Sequence, residues 1–225
     1  MDDRVLVFDV NETLIDIESL TPTFERIFGD PAIMRTWFGE LVTYSMTVTL
    51  AGYYTDFIAL GRAALRMVGD IRGVDVTQDD EEALATAMRT MPAHPDVEPG
   101  LQALRDQGYR LVTLTNSPSQ PNSPSALDSA GLSGYVEQQF SVHTERVFKP
   151  ASALYANVAA RLGVPVSACT LVAAHCWDTI GGQGAGMRGA LITRPGNAAL
   201  VTPGVPQPDV IARDLLDLAA QLQNR

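Results

Sequence analysis

Apolar and polar positions change rhythm along this chain. Val5-Leu6-Val7-Phe8 is a short, continuous apolar run, the pattern of a strand buried on both faces, and it ends in Asp9. From about residue 15 to 95 the spacing turns helical. Trp37, Leu41 and Tyr44 repeat at i, i+4 and i+7, and Thr77 with Asp80 forms a capping pair before Leu84 and Met88. This block is too long for a single crossover and reads as an inserted helical unit.

Beyond it strands and helices alternate. Strands are expected at 110–115, 140–142, 170–174 and 189–193. Helices are expected around Val97, Leu101 and Leu104, at 125–131, around Leu154, Tyr155, Val158 and Leu162, and at 180–187. A last helix is expected to carry Val210, Ile211, Leu215, Leu218 and Leu222. The Pro/Ser-rich run Ser117 to Ser125 reads as a loop. Such alternation predicts an α/β fold: a Rossmann-like, doubly wound parallel sheet with an inserted all-helical cap. The expected division is a core of residues 1–14 and 96–225 and a cap of residues 15–95.

Composition narrows the function class. The chain has 225 residues, 46% hydrophobic and 19% charged, as expected of a globular enzyme. Its net charge of -10 argues against nucleic acid and anionic membrane as partners. The longest apolar runs fall short of a membrane span. The start, Met1-Asp2-Asp3-Arg4, lacks the basic-then-apolar order of a signal peptide, and Cys169 and Cys176 are too few for a disulfide framework. A reduced, cytoplasmic protein is expected.

Four polar groups fall at or just beyond strand ends: Asp9, the pair Thr115-Asn116, Lys149, and Asp178 past His175. In a doubly wound sheet they converge on one edge. Singly each has a plain structural reading, as a turn residue, a cap or a solvated lysine; it is their convergence that points to chemistry. A carboxylate can attack carbon or phosphorus, and an ammonium keeps it ionised. Thr and Asn side chains hold an anion, and a second carboxylate orients the lysine or a water. His175 is read either as a base or water-orienting group or as a strand-end histidine satisfied by backbone. His94 and His143 are expected to be structural or surface residues.

The segments Phe8-Asp9-Val10-Asn11-Glu12-Thr13-Leu14, Leu114-Thr115-Asn116, Lys149-Pro150 and that of Asp178 resemble the four motifs of the haloacid dehalogenase superfamily. The resemblance covers essentially the whole chain. Phosphatases of that superfamily place an acid two residues after the nucleophile, where this chain has Asn11, and a Gly-Asp pair where it has Ala173-Ala174. Both differences point to the metal-independent 2-haloacid dehalogenases, which Lys149 with Tyr155 and the pair Trp177-Asp178 also resemble.

The resemblance implies that Asp9 is the nucleophile, supported by Thr13, with Lys149, His175 and Asp178 completing the catalytic set. It implies that Val10, Asn11, Phe38, Thr115, Asn116, Tyr155 and Trp177 contact a small anionic haloacid, with no cofactor or metal and with a possible homodimer. Trp37 and Tyr44 lie on what resembles the substrate-facing cap helix. The chain departs from the subgroup where Tyr-Gly becomes Asn11-Glu12, where an Asn becomes His175, and where the halide-side arginine becomes Phe38. Arg35, one turn before Phe38, is the alternative cation, with a solvated surface position as its plainer reading. The rivals to a dehalogenase are a phosphatase for a small phosphoester and a binding protein without turnover.

Overall fold

A computed structural model describes residues 4–119 and 124–223. Residues 120–123 of the expected Pro/Ser-rich loop and the first three residues lie outside that set. Six parallel strands form one sheet: β1 (Val5–Phe8), β2 (Arg110–Thr115), β3 (Gln138–Ser141), β4 (Cys169–Ala173), β5 (Arg188–Ile192) and β6 (Val210–Ala212), in the order β3-β2-β1-β4-β5-β6. The central strand β1 is buried along its whole length, which its unbroken apolar run requires.

Helices α5 (Val97–Asp106) and α9 (Leu215–Gln223) pack on each other, as do α7 (Ser152–Leu162) and α8 (Cys176–Gly184). The two pairs cover the sheet as a Rossmann-like, doubly wound α/β fold. The remaining core helix is α6 (Ala126–Ser129). Strand order reverses between β1 and β4, so their carboxyl ends flank the crevice where such sheets bind ligands.

Between β1 and α5 the chain runs through a 3-10 turn (Ile17–Leu20) and four helices: α1 (Thr21–Phe28), α2 (Ile33–Leu50), α3 (Phe57–Arg72) and α4 (Gln78–Arg89). The Thr77–Asp80 capping box opens α4. Connections at 29–32, 51–56 and 73–77 interrupt the helical run. The block leaves and rejoins the core at one place, where Ile15 bridges Ala93, Asp16 N donates to Pro92 O at 2.8 Å and His94 N donates to Leu14 O at 3.0 Å.

Two elements differ from the sequence reading. Val210 and Ile211 belong to β6, a three-residue edge strand in which Val210 and Ala212 are buried and Ile211 is 49% exposed. Their spacing to Leu215 mimics a helix, and only pairing with β5 distinguishes the two. Helix α8 starts at Cys176 rather than Ile180, directly after His175. It packs closely through Gly181 and Gly182, where a Cβ would overlap Tyr155 and Leu171 respectively. Among the described residues no helix is long and apolar enough to cross a membrane.

Candidate active site

Asp9 follows β1 directly, its amide donating to Val172 O of β4 at 2.9 Å. This places its carboxylate at the crevice, only 4% exposed. Oδ1 accepts from Lys149 Nζ at 2.6 Å, and Oδ2 accepts from Thr13 Oγ1 at 2.8 Å. The Thr13 hydroxyl in turn accepts from Ala174 N at 2.9 Å, tying the loop after β1 to the end of β4. The loop is held from behind by buried Arg194, whose guanidinium donates to Thr13 O at 3.1 and 2.9 Å and pairs with Asp96 at 2.6 Å.

Lys149 sits just ahead of α7 and is 1% exposed. Its ammonium spends its three donors on Asp9, on Leu114 O at 3.1 Å and on Asp178 Oδ2 at 2.6 Å. Asn116 positions it by accepting from Lys149 N at 3.1 Å. Asp178, in the first turn of α8, takes a second bond at Oδ1 from the Tyr155 hydroxyl at 2.5 Å.

On the other side of Asp9 stands His175. Nε2 contacts Glu12 Oε2 at 2.6 Å, and Nδ1 lies 3.7 Å from Asp9 Oδ2. Glu12 is 2% exposed; it also accepts from Asn197 Nδ2 at 2.8 Å and is ion-paired with Arg35 of α2, which is paired in turn with Glu18. Charges therefore alternate along one line: Asp178, Lys149, Asp9, His175, Glu12, Arg35.

The alternation sets each group's ionisation. Burial pushes the Asp9 carboxyl up, but the Lys149 ammonium, joined by His175, outweighs it and holds Asp9 well below the usual range. Burial lowers His175, but the carboxylates of Asp9 and Glu12 outweigh it and raise the imidazole to about 9. Burial disfavours the Lys149 cation, and Asp178 and Asp9 more than compensate, so it is raised. Burial is foremost in raising Asp178, and burial with the Asp178 charge keeps the Tyr155 hydroxyl protonated.

Around Asp9 a narrow cleft is lined by Asn11, Phe38, Val42, Phe57, Asn116, His175 and Trp177. Its volume is about 10 Å³, room for about one water-sized centre. Asn11 Nδ2 donates to Ser117 Oγ at 3.2 Å, joining the loops after β1 and β2. The rings of Phe38 and Trp177 lie 5.6 and 5.1 Å from the imidazole of His175.

Several expected residues sit elsewhere. Tyr155 is fully buried and absent from this lining, and its hydroxyl donates to Asp178. Thr115 accepts from Ser117 N at 3.1 Å as a turn residue, and with Val10 it lines a neighbouring cavity of about 270 Å³. Trp37 is inside the helical block, donating to Gly61 O at 2.8 Å, and Tyr44 is 40% exposed. Arg35 is partly exposed but ion-paired, its guanidinium engaged by Glu12, Glu18 and Pro195 O.

Glu12, Arg194, Asp96 and Asn197 were not singled out by the sequence reading. For Glu12 a signal existed: an acid and a base, Glu12 and His175, both stand where the resembled subgroup has other residues. His94 caps the same loop, Nε2 lying 3.1 Å from Glu12 O. Among the described residues no group of three or more His, Cys, Asp or Glu side chains is arranged to hold a metal ion. Both cysteines are unpaired thiols.

The model of the haloacid dehalogenase-like hydrolases matches residues 4–186. The chain is 30% identical over 184 residues to (S)-2-haloacid dehalogenase 1 of Pseudomonas sp. (strain CBS-3), covering 81% of this chain and 80% of that one. It is 28% identical over 200 residues to the (S)-2-haloacid dehalogenase of Xanthobacter autotrophicus, covering 88% and 78%. A crystal structure of an L-2-haloacid dehalogenase superposes with a TM-score of 0.90 at 29% identity over 98% of each chain. The chain belongs to the haloacid dehalogenase-like hydrolases.

Proposed function

We propose that the chain hydrolyses the carbon–halogen bond of a short (S)-2-haloalkanoic acid, giving the 2-hydroxy acid. The observation that carries this reading is Asp9 itself: a buried, ionised carboxylate fixed at both oxygens, with an amide at position 11, where the superfamily's phosphatases place the acid that protonates an alkoxide leaving group. Halide leaves without a proton, so the missing acid is no handicap for attack on carbon. The kinship with the two haloacid dehalogenases supports the choice.

Asp9 displaces halide in line from C2 and forms an ester. Water then attacks the carbonyl carbon of that ester, releasing the hydroxy acid and restoring Asp9. Lys149 holds Asp9 ionised, and Asp178 holds Lys149. The substrate carboxylate is received by the amides of Val10 and Asn11 and by the Asn116 side chain. The halide faces the apolar wall of Phe38, Val42 and Phe57. Residues 15–95 act as the cap that closes over the substrate, excluding water from the displacement.

The test is incubation with chloroacetate, fluoroacetate, (S)-2-chloropropionate and an aryl phosphate, with and without EDTA. Halide release that ignores EDTA is the expected result. Phosphate release, or turnover of none of these, refutes it. An ester trapped on Asp9 by rapid quench, and lost in Asp9→Asn, is the second expected result.

A further inference from the structure

The displacement step needs no proton transfer from the pair Glu12 and His175, although both are buried beside the nucleophile. Glu12 also adopts φ +68°, a left-handed conformation unfavourable for a non-glycine residue. A strained, buried acid held there by Arg35, Asn197 and His175 points to a role at the site.

The imidazole is anchored at one end and open at the other. Nε2 is fixed by Glu12, whereas Nδ1 is buried and has no hydrogen-bond partner among the described residues. Nδ1 lies 3.7 Å from Asp9 Oδ2, so one water oxygen can sit at hydrogen-bonding distance from both. Asp178 is worse placed: it is fully buried, outside the cleft lining, with Lys149 on one oxygen and Tyr155 on the other.

We propose that His175 is the base that takes a proton from the hydrolytic water when the Asp9 ester opens. Glu12 is a positioning residue that turns Nδ1 toward Asp9. This inference rests on the aspartyl-ester reading above. The groups that set the imidazole's charge are Asp9 and Glu12 from the loop after β1, Arg35 of α2 acting through Glu12, and Lys149 and Asp178 acting through Asp9. While Asp9 is ionised, His175 is held as the imidazolium. Ester formation removes the Asp9 charge and with it a main reason for that protonation, so the imidazolium releases one proton to solvent.

Neutral Nδ1 then takes a proton from water as the oxygen bonds to the ester carbonyl carbon, leaving a tetrahedral oxyanion and an imidazolium. The carbon–oxygen bond to the departing hydroxy acid breaks, and its alkoxide takes the proton from His175. The Asp9 carboxyl returns its own proton to the imidazole. The sum is haloacid plus water giving hydroxy acid, halide and one proton.

Single-turnover rapid quench with mass spectrometry separates the two half-reactions, using (S)-2-chloropropionate. In His175→Gln the Asp9 ester is expected to form within a few-fold of the normal rate and to hydrolyse about 10²-fold or more slowly, so it accumulates. In Glu12→Gln hydrolysis persists, but its pH midpoint is expected to fall by about one unit, because a neutral amide no longer stabilises the imidazolium. A purely structural role would not move that midpoint.

Ester hydrolysis at the wild-type rate in His175→Gln, equal slowing of both half-reactions, or an unmoved midpoint in Glu12→Gln each overturns the proposal. If His175→Gln fails to fold, the Glu12→Gln midpoint decides. A wild-type protein that turns over haloacid and yields an Asp9 ester while these signatures fail refutes only the base. A wild-type protein that forms no ester refutes the dehalogenase reading and the base with it.

Discussion

The two flanks of Asp9 are built differently. On one side Lys149, Asp178 and Tyr155 come from the sheet edge and the two helices beneath it, and all three are essentially sealed from solvent. On the other side the line from His175 through Glu12 ends at Arg35, 34% exposed, and Glu18, 47% exposed, both belonging to the helical block. The charge that keeps the nucleophile ionised is thus internal to the core. The charge around the imidazole is shared between core and helical block. Dry, fully paired groups give a fixed electrostatic setting, whereas a line that reaches solvent can be screened and shifted.

The sharpest way to break the comparison is Lys149→Met. It strands two buried carboxylates, and the expected result is a loss of about 3–5 kcal/mol of stability together with loss of turnover, read by denaturant unfolding and halide release. Stability close to wild type would show that the sealed flank is not electrostatically committed.

The second effect belongs to His175. Its imidazole is raised from 6.5 to about 9 in the fold, so the stability from its carboxylate partners is fully present below about pH 6.5 and is lost as pH rises through about 9. On the order of 3 kcal/mol is expected to disappear over that window. The slope should vanish in His175→Gln, and its persistence there would assign it to another group.

Smaller is Tyr155→Phe, which removes one hydrogen bond from buried Asp178. A cost of about 1–3 kcal/mol is expected by thermal or chemical unfolding, with the Asp9 ester still forming. The smallest is Arg35→Gln. This pair of a partly exposed arginine with a buried glutamate that keeps His175 and Asn197 is expected to contribute about 1 kcal/mol to stability, with its main effect a change in the pH profile of turnover. Equal losses in Tyr155→Phe and Arg35→Gln would erase the distinction between the flanks.

Much of this was legible in the chain itself. The apolar run before Asp9 marked the central strand, and the regular alternation after Pro95 marked the α/β core. Asp9, Asn116, Lys149, His175 and Asp178 do meet at one crevice. Less legible were groups whose meaning depends on distant partners. The bond from the Tyr155 hydroxyl to Asp178 could not be read from the spacing of the two residues. The ion pair of Arg35 was hidden because helical spacing says nothing of a carboxylate 23 positions earlier. The strand β6 escaped because three residues carry too little periodicity to separate a strand from a helix start.

The sequence by itself determined the strand-and-helix order, the carboxylate at the end of the first strand and the residue types at the crevice, because these follow from local periodicity and from where a strand must end. Tertiary structure alone decided that Glu12, in a left-handed turn, faces His175, and that the imidazole presents to Asp9 an Nδ1 with no hydrogen-bond partner among the described residues. Residues 12 and 175 are 163 positions apart. Their short contact exists only because β1 and β4 are neighbours at the point where strand order reverses, and burial then gives the pair its electrostatic weight.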